Sequence, residues 1–202
     1  MKKMDSLATL DKKYLGPILF ALTYVIAFAT YYFSKGDWEF LWYIAVLMFF
    51  LVLIIGTIKY TKLSLISVWG LCIWGLLHMI GGGVIFSGDV LYAWKILPVY
   101  DMGGEFFILK FDQVVHTFGF AVATLVMYEI ISSRWKNGGG FLIFVAILSG
   151  MGLGVINEIA EFIAVLAFPE TGVGGYYNTL LDLVFNTVGA GLVGIFLYLK
   201  NK

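Results

Sequence analysis

Charge is scarce in this sequence. Asp, Glu, Lys and Arg make up 13% of its 202 residues, where a soluble globular domain carries about 25%. With 61% of residues hydrophobic, too little polar surface exists to cover the chain in water. This excludes an ordinary soluble domain and leaves the bilayer as the solvent. No charge of either sign is in excess, with 13 basic against 13 acidic residues, so nothing points to a nucleic-acid partner. The single cysteine, Cys72, excludes an intrachain disulfide and reads as a small packing residue in an apolar run. A phosphate loop, a nucleophile elbow and a dinucleotide fingerprint are all missing. The first apolar run has no small-residue cleavage site after a short core. It is expected to be a retained span and not a signal peptide.

What the sequence has instead is long apolar runs. They cover about 14–33, 40–58, 63–86, 111–132, 141–168 and 180–199. Runs near 20 residues match the bilayer thickness, and in lipid the backbone must satisfy its own hydrogen bonds. The expected fold is all-α: a polytopic integral membrane protein, six transmembrane helices in one bundle, with residues 1–202 as one domain. Ten basic residues fall on the side of the termini (Lys2, Lys3, Lys12, Lys13, Lys59, Lys62, Arg134, Lys136, Lys200, Lys202). Three fall on the other (Lys35, Lys95, Lys110). That bias predicts cytoplasmic termini, and the expected location is the plasma membrane of a prokaryote. Asp37, Glu39, Asp89, Asp101, Glu105 and Glu170 fall on the outer side.

Two segments stand out. The fifth run is longer than a straight crossing needs, which predicts tilt or bending, and "SGMGLG" at 149–154 offers close helix approach or a kink. The connection 87–110 is long and aromatic, and reads as an interfacial segment or as a lid.

Polar residues inside the runs are few and grouped. "LLHMIGGG" holds His78, with "GGG" at 81–83 expected to break the helix. "FDQVVHTFG" holds Asp112 and His116, and "NEIAEF" holds Asn157, Glu158 and Glu161. "DLVFNTVGAGLVG" holds Asp182 and Asn186. Spacings of three and four put each set on one helix face. With the termini inside, every set lies in the outer half of the bilayer. The two glutamates fall roughly 10–15 Å below the outer end of the fifth helix at 1.5 Å per residue. A mid-span charge costs about 2.5–3.5 kcal/mol, so four separated carboxylates would cost on the order of 10 kcal/mol. Residues of this kind are expected to meet in one shared site. Blander readings exist for several of them. His78 suits a helix-end hydrogen bond to backbone, and the asparagines suit interhelical bonds. Asp112 and Asp182 suit helix N-termini. Glu129 suits an interfacial charge, and Gly189, Gly191 and Gly194 suit a close-packing face.

The inventory also suits a divalent metal, with zinc the first expectation. In that reading His78, Asp112, His116 and Asp182 are ligands, Glu158 and Glu161 are the catalytic carboxylates, and Asn157 and Asn186 support them. A di-iron centre fits less well, because such bundles use Glu-x-x-His and this chain has Asp-x-x-x-His.

These motifs, in this order, resemble VanZ-like membrane proteins: Asp-x-x-x-His opening one span, Glu-x-x-Gln or Glu-x-x-Glu in the next, then Asp-x-x-x-Asn-x-x-Gly. With "LHMIGG" upstream and the longer loop, residues 70–195 are closer to the YjdF-like inner-membrane family. The YjdF-like resemblance implies a membrane fold and no defined activity. The VanZ-like one implies an association with teicoplanin resistance. The chain departs from that pattern at Glu161, where Gln is usual, and lacks the arginine that often follows.

Three functions remain open from the sequence. One is a membrane-embedded, metal-dependent enzyme acting on a lipid or lipid-linked envelope precursor. The second is a proton- or cation-coupled transporter, for which an oligomer would have to supply an inner path. The third is a non-catalytic binding or assembly protein whose polar cluster fixes helix packing; membrane lipids are expected partners of the chain in every case.

Overall fold

The structure is a computed structural model that describes residues 11–104, 106–135, 137–168 and 174–202. Lys2, Lys3, Glu105, Lys136 and Glu170, which the sequence assigns to one side or the other, lie outside the described residues. Six helices form: α1 (Leu15–Lys35), α2 (Trp38–Thr61), α3 (Leu65–Gly83), α4 (Phe111–Arg134), α5 (Gly139–Ala167) and α6 (Tyr176–Lys200). Each is long and apolar enough to cross a membrane. Side chains such as Ile66 and Leu166, 75% and 70% exposed, face outward in numbers that only lipid would tolerate.

Local chemistry sets the helix ends. Gly36 adopts φ 68°, the left-handed region that glycine takes without strain, and closes α1. Asp37 then opens α2 by accepting a hydrogen bond from the Phe40 N–H at 3.1 Å. Ser64 caps α3 through its Oγ, which accepts from the Ser67 N–H at 3.1 Å. The Ser64 N–H itself donates to Glu129 Oε2 at 2.9 Å. Glu129 is thus more than an interfacial charge: it ties the end of α4 to the start of α3. At the same end of the bundle Tyr14 OH donates to Leu63 O at 2.7 Å, and Asn201 Nδ2 donates to Tyr128 OH at 2.8 Å. Both termini of the described helices therefore share one end.

The other end carries short strands, an addition to the expected all-helical chain. The third run ends as a helix at Gly83, and β1 (Ile85–Phe86) pairs antiparallel with β2 (Asp89–Val90). The two residues between them, Ser87 and Gly88, both have positive φ, which suits the twist of a tight hairpin. A 3-10 turn at Leu91–Ala93 follows, and then β3 (Lys95–Gly103) pairs with β4 (Phe106–Lys110). The segment is tied to the bundle. Leu91 N–H donates to Val84 O at 2.8 Å, and Phe111 N–H donates to Trp94 O at 2.9 Å.

The "GGG" stretch does not break α3. Helix continues through Gly83, and the three glycines make room for rings: Gly81 for Tyr92, Gly82 for Phe40, Gly83 for Tyr32. Small residues also set the approach of α4, α5 and α6. Gly150 lies against Thr124, Gly154 against Asn186, Gly194 against Ile147, and Gly189 against the backbone carbonyl of Thr117. Gly191 packs against nothing within 4 Å, contrary to the expected three-glycine face. Two residues of helix carry it about 200° away from Gly189. The "SGMGLG" stretch behaves as a close-approach face, and α5 runs as one helix from Gly139 to Ala167. Cys72 is buried beside α1 and takes the expected packing role.

Two stability outcomes follow. Glu129→Ala leaves the Ser64 N–H without its acceptor, and thermal unfolding in detergent should report a loss of about 1 kcal/mol. Gly189→Ala drives a methyl into backbone that cannot swing aside and should cost about 1–3 kcal/mol. Gly191→Ala, measured beside it, should change little.

Candidate functional site

The site is built by turns of α4, α5 and α6 near the hairpin end. Asp112 and His116 are one turn apart on α4. On α6, Asp182 and Asn186 repeat that spacing, and it extends back to Asn178. On α5 the group is Asn157, Glu158 and Glu161. The close approaches at Gly154 and Gly189 draw these faces together. Phe120, one turn below His116, stacks on its ring with centroids 6.1 Å apart.

His116 is the centre. Its Nδ1 lies 2.9 Å from Asn186 Oδ1. Asn186 Nδ2 faces Glu158 Oε1 at 3.5 Å. A carboxylate only accepts, so it takes the Nδ2 side of the amide and leaves Oδ1 for the imidazole. Nδ1 then carries a proton, which it donates to Asn186. The other nitrogen, Nε2, faces Asp112 Oδ1 at 3.4 Å and Asp182 Oδ1 at 3.9 Å. Glu158 Oε1 lies 3.8 Å from Nδ1.

Asparagines hold the carboxylates. Asn178 Nδ2 donates to Asp182 Oδ2 at 2.7 Å and to Asp112 Oδ2 at 3.3 Å. Asn157 Nδ2 donates to Glu161 Oε1 at 2.8 Å. Lys110 Nζ donates to Asn178 Oδ1 at 3.5 Å. Asp182 is 1% exposed and Glu158 7%. Their Oδ1 and Oε2 atoms have no hydrogen-bond partner among the described residues. Buried acceptors are rarely left so.

Among the described residues, two sets of side chains could hold a metal ion: Asp112, His116 and Asp182, and His116, Glu158 and Glu161. In each set the ligand atoms lie within 4.8 Å of one another. His78 belongs to neither. Its ring stands on the wall of a cleft, between Tyr43 at 6.2 Å and Tyr92 at 5.6 Å. The cleft, about 210 Å³, reaches Asp112, His116 and Glu161, but not Glu158 or Asp182.

Several residues of this region escaped the sequence reading. Asn178 did so because the sixth run was expected to start at 180, whereas α6 starts at Tyr176. Its four-residue step from Asp182 was the available signal. Tyr92 sits in the long connection, where spacing carries no information. Its OH donates to His78 O at 3.0 Å. Burial, together with nearby carboxylates, holds its phenol well above the ordinary value, so it remains a neutral donor. Glu39, Phe40 and Tyr43 reach the cleft from the first turns of α2.

No curated protein matches the chain, and no solved structure does. The model of a family described as "Predicted membrane protein (DUF2238)" matches residues 16–202, and the chain belongs to that family.

Proposed function

We propose that the protein is a membrane-embedded, metal-dependent hydrolase acting on a lipid or lipid-linked envelope precursor. The observation that carries this reading is the environment of His116 Nε2. In the neutral imidazole a proton on Nδ1 leaves Nε2 as the acceptor, and this nitrogen faces two aspartate oxygens, one of them buried without a partner among the described residues. One imidazole nitrogen and two carboxylates form a donor set that suits a divalent cation such as zinc, and the bond from the other ring nitrogen to Asn186 orients the ring for it. A cation bound there would act as a Lewis acid and lower the pKa of a water.

The remaining steps belong to the chain. Glu161 lines the cleft, whereas Glu158 lies behind it, so Glu161 is the carboxylate placed to take a proton from the attacking water. The water oxygen bonds to the carbon or phosphorus of the ester, the bond from that atom to the leaving oxygen breaks, and the leaving oxygen takes that proton from Glu161. Asn157 orients Glu161, while Asn178 holds both aspartates.

Orientation is part of the proposal. Lys12, Lys13, Lys59, Lys62, Arg134, Lys200 and Lys202 belong to the end with the termini, against Lys35, Lys95 and Lys110 at the hairpin end. That excess supports cytoplasmic termini and a cleft open to the outer face of a prokaryotic plasma membrane. The YjdF-like resemblance falls inside the stretch that the family model matches and brings no activity with it.

Metal content per chain, measured by mass spectrometry on detergent-purified protein, tests the centre. One equivalent of a divalent metal is expected, retained in Glu161→Gln and lost in His116→Ala and Asp182→Asn. Asn186→Ala should weaken metal affinity about 10–100-fold, because it frees the ring. Glu161→Gln should lower the hydrolysis rate about 10²–10⁴-fold with the metal still bound. A folded, metal-free protein that cannot be loaded would overturn the metal centre and leave a hydrogen-bonded charge network in its place.

A further inference from the structure

The β3–β4 hairpin presents apolar side chains that water does not favour. Every residue of β3 is exposed. Consecutive residues of a strand point to opposite faces, yet chain neighbours are open together: Ile96 with Leu97, and Val99 with Tyr100. Leu97, Val99 and Met102 are 57%, 62% and 67% exposed. A protein laid on one face of such a ribbon would leave the other bare, whereas a fluid medium reaches both. Charge on the strand is balanced. Lys95 Nζ lies 3.9 Å from Asp101 Oδ2 and 4.5 Å from the centre of the Phe107 ring.

The position of the ribbon identifies that medium. β4 runs directly into α4. With 24 residues, α4 is about 36 Å long at 1.5 Å per residue, a little more than the ~30 Å of a hydrocarbon layer. The strand therefore leaves the bundle at the bilayer boundary. The Phe106 ring meets Tyr177 edge-on at 5.6 Å, at the start of α6. One turn further along these two helices, Val114 and Leu180 are exposed, so the apolar surface of the ribbon continues the lipid-facing surface of the bundle. Trp94, Tyr100 and Tyr177 are rings of the kind that collect at headgroup level.

We infer that the β3–β4 hairpin docks on the lipid surface, lying at the boundary of headgroups and acyl chains in the leaflet at its end of the bundle. Its depth follows from the backbone. Among the described residues β3 pairs with β4 and with no other strand. The N–H and C=O groups of its other edge would go unsatisfied in hydrocarbon, but water and headgroup oxygens reach them at the boundary. A second copy adding a strand to that edge is disfavoured, because Pro98 in the middle of β3 has no N–H to give. The attraction is apolar, so it needs no anionic lipid. It holds whether or not the cleft carries a metal. Lys110 ends β4 and lines the cleft, so docking brings the headgroup layer to the edge of the cleft.

Spin-label accessibility tests this on the full chain in liposomes of phosphatidylcholine, with and without phosphatidylglycerol. Labels are placed singly at Leu97→Cys, Val99→Cys and Met102→Cys in a Cys72→Ala background, and circular dichroism checks the helix content of each variant. Val52→Cys, on the exposed side of α2, is the hydrocarbon reference, and Lys35→Cys, at the end of α1, is the aqueous one. Collision with oxygen, which concentrates among acyl chains, is compared with collision with a water-soluble nickel chelate. At all three hairpin positions the oxygen-to-nickel ratio should lie above that of Lys35→Cys and below that of Val52→Cys, in both lipid mixtures. Adding Leu97→Asp and Val99→Asp together should lower the ratio at Met102→Cys to the aqueous value, with helix content unchanged. Ratios equal to the aqueous reference at all three positions would overturn the inference, and ratios equal to the hydrocarbon reference would overturn the depth. A contact between copies would show instead as dipolar broadening at Val99→Cys that vanishes on dilution with unlabelled chain. Docking that appears only with phosphatidylglycerol would overturn its apolar basis.

Discussion

The bond from His116 Nδ1 to Asn186 Oδ1, 2.9 Å long, is the constraint on which the polar interior depends. It is short because Gly154 lets α5 approach the Asn186 side chain and Gly189 lets α6 approach the α4 backbone. It has a direction because Glu158 can only accept. Together these fix which imidazole nitrogen is a donor and which faces Asp112 and Asp182. A different residue at Asn186, of similar size but unable to accept, would leave the ring free to choose. The carboxylates on the Nε2 side would then lose their common focus.

The same three helices show how a membrane bundle tolerates carboxylates. Each charged group has an amide within reach: Asn178 for both aspartates, Asn157 for Glu161, Asn186 for Glu158. The asparagines come from α5 and α6, and the aspartates from α4 and α6, so most of these bonds cross between helices or span one turn. Insertion of four isolated carboxylates would cost on the order of 10 kcal/mol. Grouping them around one imidazole and three amides replaces much of the lost hydration. Two buried oxygens, Asp182 Oδ1 and Glu158 Oε2, are the places where that replacement is incomplete, and such places in native proteins call for an explanation in function.

The hairpin end shapes access to this group. Tyr92, at the 3-10 turn between the hairpins, lies over Gly81 and bonds to the His78 carbonyl. Through these contacts the 91–93 turn closes one side of the cleft, and α2 closes another through Phe40, whose ring is seated on Gly82. Gly81 and Gly82 thus serve the cleft by being small within the last turn of α3.

Six helices were legible in the sequence because hydropathy and backbone satisfaction in lipid leave little choice. The polar faces were legible too, because four-residue spacing places Asp112 with His116 and Asp182 with Asn186 whatever surrounds them. Asn178 was hidden by a helix start that begins earlier than its apolar run, in a stretch opened by two tyrosines. The hairpins were hidden because their pairing depends on two short runs meeting across a turn. Tyr92, Glu39 and Tyr43 were hidden because a cleft wall joins residues far apart in the chain. The sequence by itself determined that the solvent is lipid and which faces of which helices are polar. Only the tertiary structure decided that His116 turns one nitrogen to an asparagine and the other to two aspartates, while His78 stands apart. The physical reason is that helical spacing places side chains on a face, but the rotation and approach of neighbouring helices decide which atoms meet.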